Sequence, residues 1–123
     1  MLSVGNTFLI PTPPNNQEHL FIIIAIDKNS NAALLVNITT PKINCDCSCF
    51  VNIGEHPFLK YNSVVNYADA RISPISNLEF NIKKGIIKKH SQASKGLLKK
   101  IREGALTSND IPIKCLNFLC LNP

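Results

Sequence analysis

The run His19-Leu20-Phe21-Ile22-Ile23-Ile24-Ala25-Ile26 constrains this chain more than any other segment. Leu20 to Ile26 is continuously apolar, with four isoleucines. It falls far short of the ~20 residues a membrane-spanning helix needs. It also lacks the alternation of a strand with one wet face, so it predicts a central strand covered on both sides. Asp27-Lys28-Asn29-Ser30-Asn31 then forms a polar turn, and Ala32–Thr40 is the antiparallel partner, stopped by Pro41.

The flanking segments extend this pattern. Thr7–Ile10 reads as a short strand ended by Pro11-Thr12-Pro13-Pro14-Asn15-Asn16, because proline cannot join a central ladder. Cys49–Ile53 and Ser63–Tyr67, the latter continued or followed by Ala70–Ile72, are further strands; Gly54-Glu55-His56-Pro57 separates them. Ile75–Ile82 is ambiguous, with room for one helical turn. Gly85-Ile86-Ile87, flanked by lysine pairs, fits an edge strand. The clearest helix starts at Ser91 or Ser94, serine being a good N-cap. Leu97, Leu98, Ile101 and Ala105 fall within about 100° of arc, and Lys95, Lys99 and Arg102 lie opposite. Gly104 weakens its last turn, and Ile111–Leu121 is a final helix or a packing tail.

Such a chain predicts an α+β fold: a small antiparallel β-barrel of five to seven strands with one or two C-terminal helices. At 123 residues it has room for one domain spanning 1–123, with a barrel over about 5–90 and a helical part over about 91–121. Met1–Asn6 has neither a basic region nor a long apolar segment, so it does not read as a secretory signal.

Charge is unevenly placed within the net +5. Residues 1–82 hold four bases and six acids, whereas residues 83–123 hold nine bases and two acids. A concentrated basic third predicts a polyanionic partner; a solvated lysine-rich helix is the plainer reading. The five cysteines are odd in number, three of them in Cys45-Asp46-Cys47-Ser48-Cys49. That count and spacing disfavour a disulfide scaffold and point to a reducing, cytoplasmic home. On a strand the three would share one face, where thiolates suit a soft metal; small half-buried strand residues are the alternative. No metal or cofactor is expected from the C-x-C-x-C spacing, since zinc sites use C-x2-C pairs.

No phosphate-binding glycine loop, zinc-protease helix or serine-elbow motif is present. A broader pattern is. Gly5-Asn6-Thr7-Phe8-Leu9-Ile10, a loop, His19–Ile24, and then Leu35-Val36-Asn37-Ile38-Thr39-Thr40 resembles the MazF/PemK family of toxin endoribonucleases. Ser63–Ile72 is similar to the family's next core strand, and Ser94–Leu106 to its C-terminal helix. The resemblance implies an SH3-like barrel, commonly a homodimer, that cuts single-stranded RNA and is silenced by a cognate antitoxin. By position, the family's strand-start arginine falls on His19 and its Thr-Thr pair on Thr39 and Thr40. No proline follows His19, and Asn6 stands where the family has an acid. The segment Cys45–Lys60 has no counterpart.

The residue chemistry can be read separately. Metal-free RNA cleavage needs a base for the 2′-hydroxyl, donors for the phosphorane oxygens and an acid for the leaving 5′-oxygen. His19 and His56 are the acid/base candidates. Thr39, Thr40 and Ser63 are candidate phosphate donors, and Lys60, Arg71, Lys88 and Lys89 candidate RNA-binding cations. Against this stands the plainer expectation that each histidine is structural, that Thr39-Thr40 reflects β-propensity, and that His90 is a surface residue. Phe58, Tyr61 and Tyr67 are either core or base-stacking residues. Cys49 with His56 is a further nucleophilic or metal-binding pairing. The alternative function is a non-catalytic barrel that binds nucleic acid or a protein through its basic face, with no membrane role.

Overall fold

The computed structural model describes residues 1–123. In chain order the elements are β1 (Thr7–Thr12), β2 (Gln17–Asp27), β3 (Ala32–Thr39), β4 (Phe50–Val51), β5 (Ser63–Pro74), α1 (Ile75–Lys83), β6 (Lys88–His90), α2 (Lys95–Thr107) and α3 (Ile113–Leu121). All the strands pair antiparallel in the order β4-β5-β3-β2-β1-β6. β4 and β6 are left unpaired to each other, so the sheet curls into a half-barrel with three helices. No helix is long and apolar enough to cross a membrane.

The continuous apolar run behaves as its composition dictates. Leu20, Ile22, Ile24 and Ala25 enter the larger core, a cluster of 19 buried residues that the inner faces of α2 and α3 complete. Phe21 and Ile23 point the other way, into a cluster of nine closed by α1 and the N-terminal segment. Two adjacent residues, Ile24 and Ala25, share a face because the β2–β3 register slips between Ile23 and Ala25. Such a bulge bends the strand and re-aims its side chains. The guanidinium of Arg102, from α2, donates to the carbonyl of Ile24 at this bulge and to that of Asn122 at 3.4 Å. A second slip sets Val36 of β3 against four residues of β5, Tyr67–Ala70.

Several sequence expectations are corrected. Pro11 lies inside β1 rather than ending it, opposite Glu18. β6 covers only Thr7–Leu9, so β1 is an edge beyond Leu9, where a missing N–H costs no ladder bond. Ile75–Lys83 is a nine-residue helix rather than one turn. Gly85-Ile86-Ile87 is its C-terminal closure, not an edge strand. Gly85 sits at φ +79°, its N–H donates to Ile82 O and that of Ile86 to Asn81 O, the Schellman pattern. The edge strand falls on Lys88–His90 instead. Cys45, Cys47 and Cys49 do not share a strand face, because β4 begins only at Phe50. The Ser94 cap is as expected, accepting from Leu97 N at 3.1 Å.

Candidate functional site

One end of the half-barrel carries a polar cleft of about 370 Å3. Its walls are the start of β2, the end of β3 with the turn after it, and the segment between β4 and β5. Register explains the gathering. Leu20 pairs with Ile38, so one step towards the sheet's end sets His19 against Thr39. Thr39 in turn pairs with Val64, beside Ser63. His19, Thr39, Thr40, Lys60 and Ser63, expected from three separate stretches of sequence, all line this cleft.

The geometry assigns different chemistry to each. His19 Nδ1 lies 2.6 Å from Thr12 Oγ1, which also reaches Gln17 O at 3.2 Å. A hydroxyl has one proton. Both contacts are satisfied when Nδ1–H donates to Thr12 and Thr12 donates to Gln17. Nε2 is then the unprotonated nitrogen and has no protein partner. Ser63 is buried and its hydroxyl donates to Tyr61 O at 3.0 Å, so it shapes the turn rather than offering a proton to a phosphate. Thr39 and Thr40 carry hydroxyls with no intramolecular hydrogen bond. Lys60 has no carboxylate partner.

One further cleft residue escaped the sequence reading. Lys42 directly follows the Thr-Thr-Pro end of β3 and lacks a carboxylate partner; Pro41-Lys42 beside the threonines was its only signal. Tyr61 is exposed at the cleft, unlike Tyr67, which is fully buried and donates to Ile101 O at 2.6 Å. Of the three aromatics, Tyr67 is therefore core, Tyr61 is open to a ligand, and Phe58 is half-buried between core and cleft.

His56 is not part of the cleft, and the expected His19–His56 acid/base pair is corrected. Its Nε2 donates to Ser91 O at 2.7 Å and its Nδ1 accepts from Phe58 N at 3.1 Å. Thr7 Oγ1 lies 3.5 Å from Nε2. Both ring nitrogens are thus held by backbone, and the ring is 3% exposed. Burial, offset in part by the Ser91 carbonyl and reinforced by the neighbouring His90, holds its pKa below the ordinary imidazole value. Thr7 and Ile10, the residue paired with His19, are three apart on β1 and point to opposite faces. The two imidazoles are separated by the sheet. Cys49 is also in the core, with its thiol pushed up chiefly by burial, and its hydrogen bond goes to Phe50 O rather than to His56. His90 is no free surface group, since its ring packs 5.0 Å from His56 and 6.0 Å from Phe58.

The expected cations are dispersed. Arg71 lies away from the cleft, with its guanidinium 4.8 Å above the Phe21 ring and 3.4 Å from Asp69. Lys88 reaches Glu18 on the cleft lip at 3.6 Å, whereas Lys89, the neighbour of Phe8 in the ladder, does not line the cleft. Lys100 is paired with Glu55 at 2.8 Å. Of the basic 83–102 region, only Lys88 touches the cleft's rim. Neither the protein-family models nor the curated proteins compared with this chain yield a match.

Proposed function

We propose that the cleft binds single-stranded RNA. The observation that carries this reading is the convergence of two unpaired lysines, Lys42 and Lys60, two free threonine hydroxyls and the exposed Tyr61 around one opening. Phosphate oxygens are met by hydroxyl and ammonium donors, and a base can stack on the tyrosine ring. On this reading the half-barrel is SH3-like and the chain is a relative of the MazF/PemK toxins. It acts in the cytoplasm as a homodimer restrained by a cognate antitoxin.

A second reading, endonucleolytic cleavage, is favoured by the free Nε2 of His19. That nitrogen takes the 2′-hydroxyl proton as the 2′-oxygen attacks phosphorus. The P–O5′ bond then breaks, and the 5′-oxygen leaves with a proton from the imidazolium or a cleft lysine. Thr39 and Thr40 donate to the phosphorane oxygens, giving a 2′,3′-cyclic phosphate end.

Labelled single-stranded RNA incubated with the protein separates the two. A salt-sensitive shift lost in Lys42→Ala/Lys60→Ala supports binding, and new cyclic-phosphate ends abolished by His19→Ala support cleavage. No shift and no cleavage with wild-type protein would refute both.

A further inference from the structure

The geometry points to a two-thiolate site for a soft monovalent cation, Cu(I), formed by Cys45 and Cys47 on the loop between β3 and β4. The two sulfurs lie 3.6 Å apart. Cys47 is exposed and Cys45 half-buried, so a solvated ion can reach them. The pair is separate from the cleft's polar groups, although the same loop carries Lys42, and it stands whether or not the cleft binds RNA.

The loop is held in this form before any ion arrives. Asn44 takes a left-handed conformation at φ +63°, and Cys45 N donates to Lys42 O at 3.1 Å. Asp46, between the two cysteines, has both carboxylate oxygens engaged by serines. It accepts from Ser48 N at 2.9 Å, from the Ser48 hydroxyl and from the Ser108 hydroxyl. Ser108 caps the end of α2 and in turn accepts from Asp110 N at 3.1 Å and Ile111 N at 3.2 Å. A carboxylate so engaged fastens the dithiol loop to the helix and is not available as a third ligand.

Ligand number then selects the metal. No group of three or more His, Cys, Asp or Glu side chains in this structure is arranged to hold an ion. Zinc in protein sites takes four ligands, and calcium and magnesium require a shell of oxygens. Thiolate sulfurs select soft ions, and a monovalent d10 cation is satisfied by two of them. On binding, both thiols release their protons to solvent as two S–Cu bonds form; copper stays monovalent and nothing is oxidised. The remaining cysteines are placed elsewhere. Cys49 and Cys115 are buried in the main core and Cys120 is exposed on α3.

The test is an anaerobic titration of the reduced full chain with Cu(I), supplied as its acetonitrile complex and competed with a coloured Cu(I) chelator. One ion per chain is expected, with proton release and thiolate-to-copper absorption in the ultraviolet. Because a chelating pair gains its affinity from effective concentration, Cys45→Ser and Cys47→Ser should each weaken binding roughly 100-fold or more. Cys120→Ser should bind as the wild type does, and circular dichroism should show all three variants folded. No uptake by the wild type, undiminished binding in the Cys45 and Cys47 variants, or loss of binding in Cys120→Ser would each overturn the assignment. Displacement of Cu(I) by an equal concentration of Zn(II) would overturn it too, since it would require ligands the loop does not have.

Discussion

Gly104→Ala sets helix propensity against packing within a single helix. In an exposed helix interior this change stabilises by about 1 kcal/mol. Gly104 is buried, and a Cβ built there would run into Tyr67 Oη, Cys49 Cβ at 2.8 Å and Ser48 O at 3.0 Å. Two of these neighbours cannot give way cheaply. Ser48 O is backbone, and Cys49 is fixed in the core ahead of β4. Tyr67 can move only by surrendering its hydrogen bond to Ile101 O in a fully buried setting. Overpacking costs about 1–3 kcal/mol, and a buried hydroxyl without a partner costs a further 1–3 kcal/mol. Against the propensity gain, the net loss is about 3 kcal/mol, or on the order of 10 °C in melting temperature for a chain of this size. Gly96 of the same helix is the internal control, since nothing lies within 4 Å of its added Cβ. Gly96→Ala should raise stability by about 0.5 kcal/mol. Urea unfolding of both variants beside the wild type measures the difference. Equal or greater stability of Gly104→Ala would refute the packing argument.

Four further outcomes are expected. His56 is neutral in the fold and its pKa lies below the free imidazole's 6.5. Its contribution is therefore complete above that value and is lost as pH falls through the folded pKa, because only the unfolded chain gains a proton in between. Urea midpoints measured downward from about pH 7.5 should decline below this value, and His56→Gln should flatten the slope; an unchanged slope would locate the effect elsewhere. His19→Ala should abolish any RNA cleavage while leaving the melting temperature almost unchanged, because the side chain lies at a strand's wet end; full cleavage by the variant would remove His19 from the chemistry. Breaking the half-exposed Glu55–Lys100 pair by Glu55→Gln should cost no more than about 1 kcal/mol, as for other partly solvated pairs, with thermal melts as the measure. Arg102→Met keeps the aliphatic stem but leaves the Ile24 carbonyl without its donor, so a loss of about 1–3 kcal/mol is expected in the same assay.

Local chemistry carried far in this chain. The run Leu20–Ile26, the turn after Asp27, the partner strand ending at Thr39 and the Ser94 cap each depend on residues close in sequence, and each was legible. The gathering of His19 with the threonines was expected only from the family resemblance, and the pairing of β2 with β3 supplies its physical cause. What was illegible depends on distant partners. Gly85-Ile86-Ile87 looks like strand until α1 exists to be closed by it. His56 looks like a titrating loop residue until the carbonyl of Ser91, 35 positions away, accepts a hydrogen bond from its Nε2–H. Lys100 and Arg102 look like a solvated basic face until Glu55 and the Ile24 carbonyl are found opposite them. A charge count cannot tell a cation that guides a ligand from one that completes the fold.

Arg102 also decides how this molecule can be divided. Its guanidinium spans from the last helices to a kink in the strand that runs through both hydrophobic clusters, and it ties down the carbonyl of Asn122 on the way. The final thirty or so residues are therefore no appendage. Shortening the chain ahead of α2 would strip a wall from the interior and leave a main-chain oxygen facing that wound. Whatever the strands do, they do it as one cooperative body with the helical tail.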